Sequence, residues 1–229
     1  YTVTYDVNGG DELPITEKVV TYDSNYTFTQ PTRTGYTFSG WYYGETQLTD
    51  GNGKNLAVWN YAKNLMIKAK WQANEYPVTL KTNDSSAGTM TGADNYAYDS
   101  NVTITAKTKS GYTWLGWYDK NDELVTNSLS YKFKMGFAVT YTAKWSKTTI
   151  TKNISAAGSI TSLSGKYVNG QEVTVTATTN SGYTWLGWYN GDTQLTAESS
   201  YTFIMNEESK TYTAKWTYYT ITTNTNMNA

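Results

Sequence analysis

Apolar and polar residues alternate along this chain in short bursts. Glu172-Val173-Thr174-Val175-Thr176-Ala177-Thr178 is a clear run of period two, the signature of a half-buried strand. Tyr212-Thr213-Ala214-Lys215-Trp216 alternates in the same way. Tyr212, Ala214 and Trp216 are therefore expected to face a core, and Thr213 and Lys215 to face water. Clusters such as Asn180-Ser181-Gly182 and Asn190-Gly191-Asp192 punctuate the runs and predict turns and hairpins. No stretch keeps a helical period over ten residues. One shorter pattern stands out between Leu48 and Leu65, where Leu56, Trp59 and Ala62 or Lys63 fall at i, i+3 and i+6 or i+7. It predicts a short helix. The expected class is mainly β.

The pattern repeats. Gly35 to Tyr42 reads G-Y-T-F-S-G-W-Y, and Gly111 to Tyr118 and Gly182 to Tyr189 both read G-Y-T-W-L-G-W-Y. A second marker follows each: Ile67-Lys68-Ala69-Lys70-Trp71, then Tyr141-Thr142-Ala143-Lys144-Trp145, then Tyr212-Thr213-Ala214-Lys215-Trp216. The offsets are 76 and 71 residues for the first marker and 74 and 71 for the second. Two markers in one order at one spacing define tandem modules, with a period too long for a solenoid unit. Boundaries are expected at 1–73, 74–146 and 147–217. Thr79-Leu80-Lys81-Thr82 and Thr149-Ile150-Thr151-Lys152 open modules two and three, and Thr220-Ile221-Thr222-Thr223 has the same form. Residues 218–229 thus read as the start of a truncated fourth repeat. Together with a first residue that is Tyr rather than Met, this leads to the expectation that the chain is a fragment of something longer.

In the G-Y-T-W-L-G-W-Y strand, strict alternation puts Trp114 and Trp117 on opposite faces. A bulge at the recurring glycine would bring them to one side. Sequence leaves both open. Each ring can bury about 150–250 Å², and a module of about 70 residues has a thin core that large rings can fill.

Composition narrows the chemistry. The 229 residues include no His and no Cys, which excludes Ser-His-Asp and Cys-His relays, disulfides, and the usual zinc, haem and iron–sulfur ligand sets. A formal net charge of −1 lacks the basic excess of a nucleic-acid binder. No apolar run approaches the ~20 residues that span a bilayer. The 41 Thr, 22 Tyr and 9 Trp favour strands.

The first module carries Val7-Asn8-Gly9-Gly10, Pro31-Thr32-Arg33-Thr34-Gly35-Tyr36 and Ala69-Lys70-Trp71. With these it resembles the Listeria–Bacteroides repeat, the internalin B-type B-repeat. Modules two and three look like a divergent branch of that family. They keep G-Y-x-aromatic-x-G-W and Y-T-A-K-W and lack the N-G-G turn and the P-T-R-x-G approach. The resemblance implies a β-grasp-like sheet with a short helix, no enzymatic activity, and a place in secreted, cell-surface or cell-wall proteins of bacteria. Such repeats form stalks, and some members have ligand roles toward host surface molecules.

Four tryptophans, Trp114, Trp117, Trp185 and Trp188, are candidate ligand contacts, since flat rings stack on sugars. Their recurrence at one place in each module, where module one has Phe38 for Trp114, favours a core role. The acids Asp119, Asp122, Glu123, Asp192, Glu207 and Glu208 sit in turn-like segments, and none recurs in all three modules, so they read as solvated. Asp119-Lys120-Asn121-Asp122-Glu123 loosely resembles a calcium loop but lacks its glycine and distal glutamate. Lys–Asn isopeptide bonds need a buried lysine, whereas Lys144 and Lys215 are expected to point outward.

The expected function is a non-enzymatic spacer, with no catalytic residue, cofactor or metal. Host surface proteins or glycans are the expected partners. Nucleic acid and membrane insertion by this segment are not expected. The chain is expected to be a monomer, elongated and semi-rigid because the linkers Gln72–Tyr76, Ser146-Lys147 and Thr217-Tyr218 are short. Direct carbohydrate or host-protein binding through exposed aromatics is the alternative.

Overall fold

In a computed structural model of the chain, residues 1–161, 163 and 167–219 are described. All but the first two residues of the expected fourth repeat lie outside them. The first sequence repeat forms β1 (Thr2–Asp6), β2 (Glu17–Val19), β3 (Tyr36–Tyr43), β4 (Thr46–Gln47) and β5 (Leu65–Ala73). The second forms β6 (Glu75–Thr82), β7 (Gly88–Thr91), β8 (Asn95–Ala97), β9 (Asn101–Thr108), β10 (Thr113–Tyr118), β11 (Leu124–Thr126), β12 (Ser130–Lys134) and β13 (Val139–Ser146). The third forms β14 (Thr149–Lys152), a 3₁₀ turn at Ser155–Ala157, β15 (Gly158–Ile160), β16 (Glu172–Thr179), β17 (Tyr183–Asn190), β18 (Thr193–Thr196), β19 (Ser200–Ile204) and β20 (Thr211–Tyr218). The chain is mainly β, as the alternation predicts.

The described residues pack as two units that do not coincide with the repeats. The first holds Tyr1–Val78, Asp94–Val102 and Phe133–Val139. Its main sheet has the order β2-β1-β5-β3-β4, with β1 and β5 parallel in register Val3↔Leu65 to Asp6↔Lys68. The start of β6 pairs antiparallel with β8, Glu75↔Ala97 to Pro77↔Asn95. Tyr98, just after β8, lays its ring on Gly35, where a Cβ would collide with it. Its edge meets Tyr36, ring centroids 5.6 Å apart.

The expected helix between Leu48 and Leu65 does not form. Its backbone groups are bound elsewhere: the Trp59 N–H donates to Ser24 O (2.9 Å), the Trp59 carbonyl accepts from Asp23 (2.8 Å), and the Asn55 N–H donates to Tyr26 O (3.3 Å). Leu56 is exposed while Trp59 is buried, so the spacing does not mark one apolar face. Trp59 packs edge-on against Tyr26, Phe28 and Tyr61 and donates its indole N–H to Tyr61 O at 2.7 Å. An aromatic loop thus covers the sheet in place of the helix that a β-grasp-like module implies.

The second unit comprises the described residues of Thr79–Ala93, Thr103–Lys132 and Thr140–Ala229. In it β10 pairs antiparallel with β11 and β13, and β7 with β9. The third repeat has one sheet of order β14-β20-β17-β18 and another of order β15-β16-β19. Again the first and last strands are parallel, Thr149↔Thr211 to Lys152↔Ala214. Val173, Val175 and Ala177 of β16 are buried and the intervening residues exposed. The outward threonines pair across strands, Thr174 with Thr202 (2.8 Å), Thr176 with Thr161 (2.6 Å) and Thr151 with Thr213 (3.0 Å). Such cross-strand pairs stabilise a sheet by roughly 0.2–1 kcal/mol each, which gives the threonine excess a local role.

Candidate functional site: aromatic staples and a shared lysine

The G-W strand carries the feature that organises each repeat. Its register against the closing strand jumps between Phe38 and Gly40, between Trp114 and Gly116, and between Trp185 and Gly187. One residue is therefore extra, Ser39, Leu115 or Leu186, and a β-bulge results. The glycine after it has φ of +139°, +138° or +132°, and a Cβ there would strike the facing strand. Only glycine adopts this backbone without strain. The bulge turns both aromatics to one side: Trp114 meets Trp117 at 5.5 Å and Trp145 at 5.1 Å, and Trp185 meets Trp188 at 5.9 Å and Trp216 at 4.9 Å. Phe38, Trp41 and Trp71 repeat the arrangement.

Of the four candidate tryptophans, Trp114, Trp117 and Trp188 are buried and Trp185 is half-buried. Each donates its indole N–H to a backbone carbonyl of its own repeat: Trp114 to Asn127 O (2.9 Å), Trp117 to Leu129 O (3.3 Å), Trp185 to Ala197 O (2.8 Å) and Trp188 to Ser199 O (3.1 Å). The rings staple the loop that follows the G-W hairpin back onto the sheet. Their polar atoms are thereby satisfied within the fold.

A second clamp escaped the sequence reading. Asn83 and Asn153, each just past an opening strand, bind the closing tryptophan's main chain from both sides. Asn83 accepts from Trp145 N (2.9 Å) and donates to Trp145 O (2.7 Å). Asn153 does the same with Trp216 at 2.9 and 2.8 Å. The signal was an asparagine directly after each opening segment, Thr79-Leu80-Lys81-Thr82 and Thr149-Ile150-Thr151-Lys152.

The lysine of A-K-W forms a third recurring cluster. Lys70, Lys144 and Lys215 lie over the rings of Tyr42, Tyr118 and Tyr189 at 4.4, 4.6 and 4.5 Å. They pair with Glu45 (2.7 Å), Asp122 (2.6 Å) and Asp192 (3.3 Å), acids of the G-W hairpin. An acid therefore does recur in all three repeats, three residues past the tyrosine at Glu45 and Asp192 and four past it at Asp122. Asp119, in the segment resembling a calcium loop, accepts from the backbone of Asn121 and Glu123 at 2.8 and 2.9 Å.

Lys144 corrects the expectation that these lysines face solvent. Its side chain is only 6% exposed, against 41% for Lys70 and 24% for Lys215. The reason is a second acid: Glu207 of the third repeat reaches Lys144 Nζ at 2.5 Å, and its other oxygen accepts from Asn83 at 3.4 Å. Glu207, expected to be a solvated turn residue, is an inter-repeat partner. Burial opposes the charge on Lys144, but its hydrogen bonds to Asp122 and Glu207, and their charges, outweigh this and raise its pKa. Leu115 and Tyr118 belong to the same buried cluster as Ala157, Trp188, Phe203 and Met205 of the third repeat. Leu115 and Tyr118 of the second repeat thus lie in the core of the third.

Comparison with known proteins matches residues 78–149 and 148–220 to the divergent InlB B-repeat domain. The chain belongs to the divergent InlB B-repeat family. Residues 1–75 match the Listeria-Bacteroides repeat domain, so the first repeat is of the typical kind. A putative membrane protein of Evansella cellulosilytica is 27% identical over 226 residues, 94% of this chain and 32% of that protein. Internalin H of Listeria monocytogenes is 33% identical over 129 residues, 52% of this chain and 20% of that protein. The chain thus spans about a third or less of these relatives' length. No helix among the described residues is long and apolar enough to cross a membrane.

Proposed function

We propose that this segment is a non-enzymatic spacer of a bacterial surface or secreted protein, extracellular or wall-associated, that holds other domains away from the cell and supports adhesion. The observation behind this reading is the sharing of Lys144 and one apolar cluster by consecutive repeats. A repeat braced by its neighbour transmits position along a chain. The membership of the repeat family and the likeness to Internalin H supply the surface context. Repeat boundaries are taken at 73/74, 146/147 and 217/218. The order β2-β1-β5-β3-β4 is read as a β-grasp-like sheet with its helix replaced by loop. Small-angle X-ray scattering is expected to give an elongated monomer; a compact particle of 25.7 kDa would overturn the reading.

Direct binding of a glycan or host protein is the second reading. Half-buried Trp185 and exposed Tyr218 and Tyr219 favour it, since they leave aromatic surface open to water late in the chain. A glycan array on the intact chain tests it, and binding unaffected by Trp185→Ala would count against these rings.

A further inference from the structure

The face that buries Lys144 in the second repeat is present, uncovered, in the third. Leu115, the bulge residue, is fully buried; its counterpart Leu186 is 38% exposed. Tyr118 is buried and Tyr189 only half-buried. Lys215 keeps the tyrosine beneath it and the hairpin acid Asp192, and among the described residues no acid from outside its own repeat reaches it. Two adjacent apolar groups and a lysine with one exposed partner make a surface chemically matched to what covers the second repeat.

We infer that the Leu186–Tyr189–Lys215 face is a docking surface for a following repeat of the divergent class that carries a carboxylate where the third repeat carries Glu207. Three observations support that occupant. The interface already exists once in the molecule, with the same residue types on the receiving side: Leu115, Tyr118, Lys144 and Asp122. The connection is in phase: Thr220-Ile221-Thr222 and Asn224 stand as far beyond Trp216 as Thr149-Ile150-Thr151 and Asn153 stand beyond Trp145. A second copy of this chain is a poor occupant, because its Glu207 already lies against its own Lys144.

The position of the carboxylate carries the selectivity. Ser200-Tyr201-Thr202-Phe203-Ile204-Met205 aligns with Ser130-Tyr131-Lys132-Phe133-Lys134-Met135, and both methionines are buried. Two residues past the methionine stands Glu207 in the third repeat and Phe137 in the second. Lys70, ahead of the phenylalanine-bearing repeat, is the most exposed of the three lysines. Lys144, ahead of the glutamate-bearing repeat, is the least. A buried ammonium needs a charge partner, so the residue at this position decides whether a repeat seats on its predecessor's lysine.

The inference rests on reading the chain as a structural tandem array, and its test is independent of the scattering experiment. The intact chain is extended after Tyr218 by a second copy of residues 148–218, and lysines are acetylated with an N-hydroxysuccinimide ester and read by mass spectrometry. In the unextended chain Lys144 is expected to react at least about tenfold more slowly than Lys215, since it reacts only when the interface opens. In the extended chain Lys215 is expected to fall to the rate of Lys144. Glu207→Phe in the appended copy is expected to return Lys215 to its original rate. Unchanged Lys215 reactivity on a folded extension would overturn the inference. Protection that survives Glu207→Phe would overturn the role of the carboxylate. An extension whose amides exchange at once would overturn it too, because the identical sequence folds against the equivalent face one repeat earlier.

Discussion

Lys144 and Lys215 stand at one position of consecutive repeats, above the same tyrosine and beside the same hairpin acid. One is sealed between two repeats and the other stays open to water. The motif around each lysine is the same, so the motif does not set its environment. What differs is the neighbour: Glu207 reaches Lys144, and the third repeat's apolar core takes in Leu115 and Tyr118. A surface ion pair worth about 0–1 kcal/mol becomes, one repeat earlier, part of an interface whose disruption strands a charge.

The largest test of this contrast is apolar. Leu115→Ala is expected to cost about 3 kcal/mol, as cavity-forming core truncations do, and Leu186→Ala less than about 0.5 kcal/mol, as exposed changes do. Urea unfolding of the two variants measures both, and equal costs would break the comparison. Lys144→Ala is expected to cost about 2 kcal/mol, below the 3–5 of a fully buried pair because Asp122 is largely exposed. Lys215→Ala and Lys70→Ala should each stay near 0.5 kcal/mol. Glu207→Gln keeps the shape and removes the charge, and it should cost about 1 kcal/mol; thermal melts against Asp192→Asn, expected to be silent, check it.

The smallest expected effect is on pH dependence. The Lys144 pKa is raised above its ordinary 10.5, so the folded state holds that proton more tightly than the unfolded state. Its contribution is complete below 10.5 and is lost as pH rises through the folded value. Tyr118, kept neutral by burial, acts in the same direction. Stability of wild type should therefore fall more steeply above pH 10.5 than that of Lys144→Met, measured by denaturant midpoints across that range; parallel curves would remove Lys144 from the account.

Much of the fold was legible because strands write period two into sequence. Val173, Val175 and Ala177, and Tyr212, Ala214 and Trp216, are buried where alternation placed them. Period three did not carry the same weight. Leu56 and Trp59 have helical spacing, but hydrogen bonds to the distant residues Ser24 and Tyr26 capture the backbone, and no local pattern records a distant partner. The bulge was half legible: its glycine was visible, and only the register shows that Leu115 is the extra residue. The lysine–acid clusters were hidden because Asp122 stands one step later in its hairpin than Glu45 and Asp192 do in theirs. Glu207 was hidden because its meaning depends on another repeat's lysine.

The parallel pairing of first and last strands has a mechanical consequence. In the first and third repeats the chain enters along one strand and leaves along its immediate parallel neighbour. A pull on the two ends drives these strands past one another, so the hydrogen bonds between them share the load in shear instead of parting one at a time like a zipper. Resistance to forced extension is a matter of unfolding rate rather than equilibrium stability. Repeats with modest cores could in this way withstand tension out of proportion to their melting temperature.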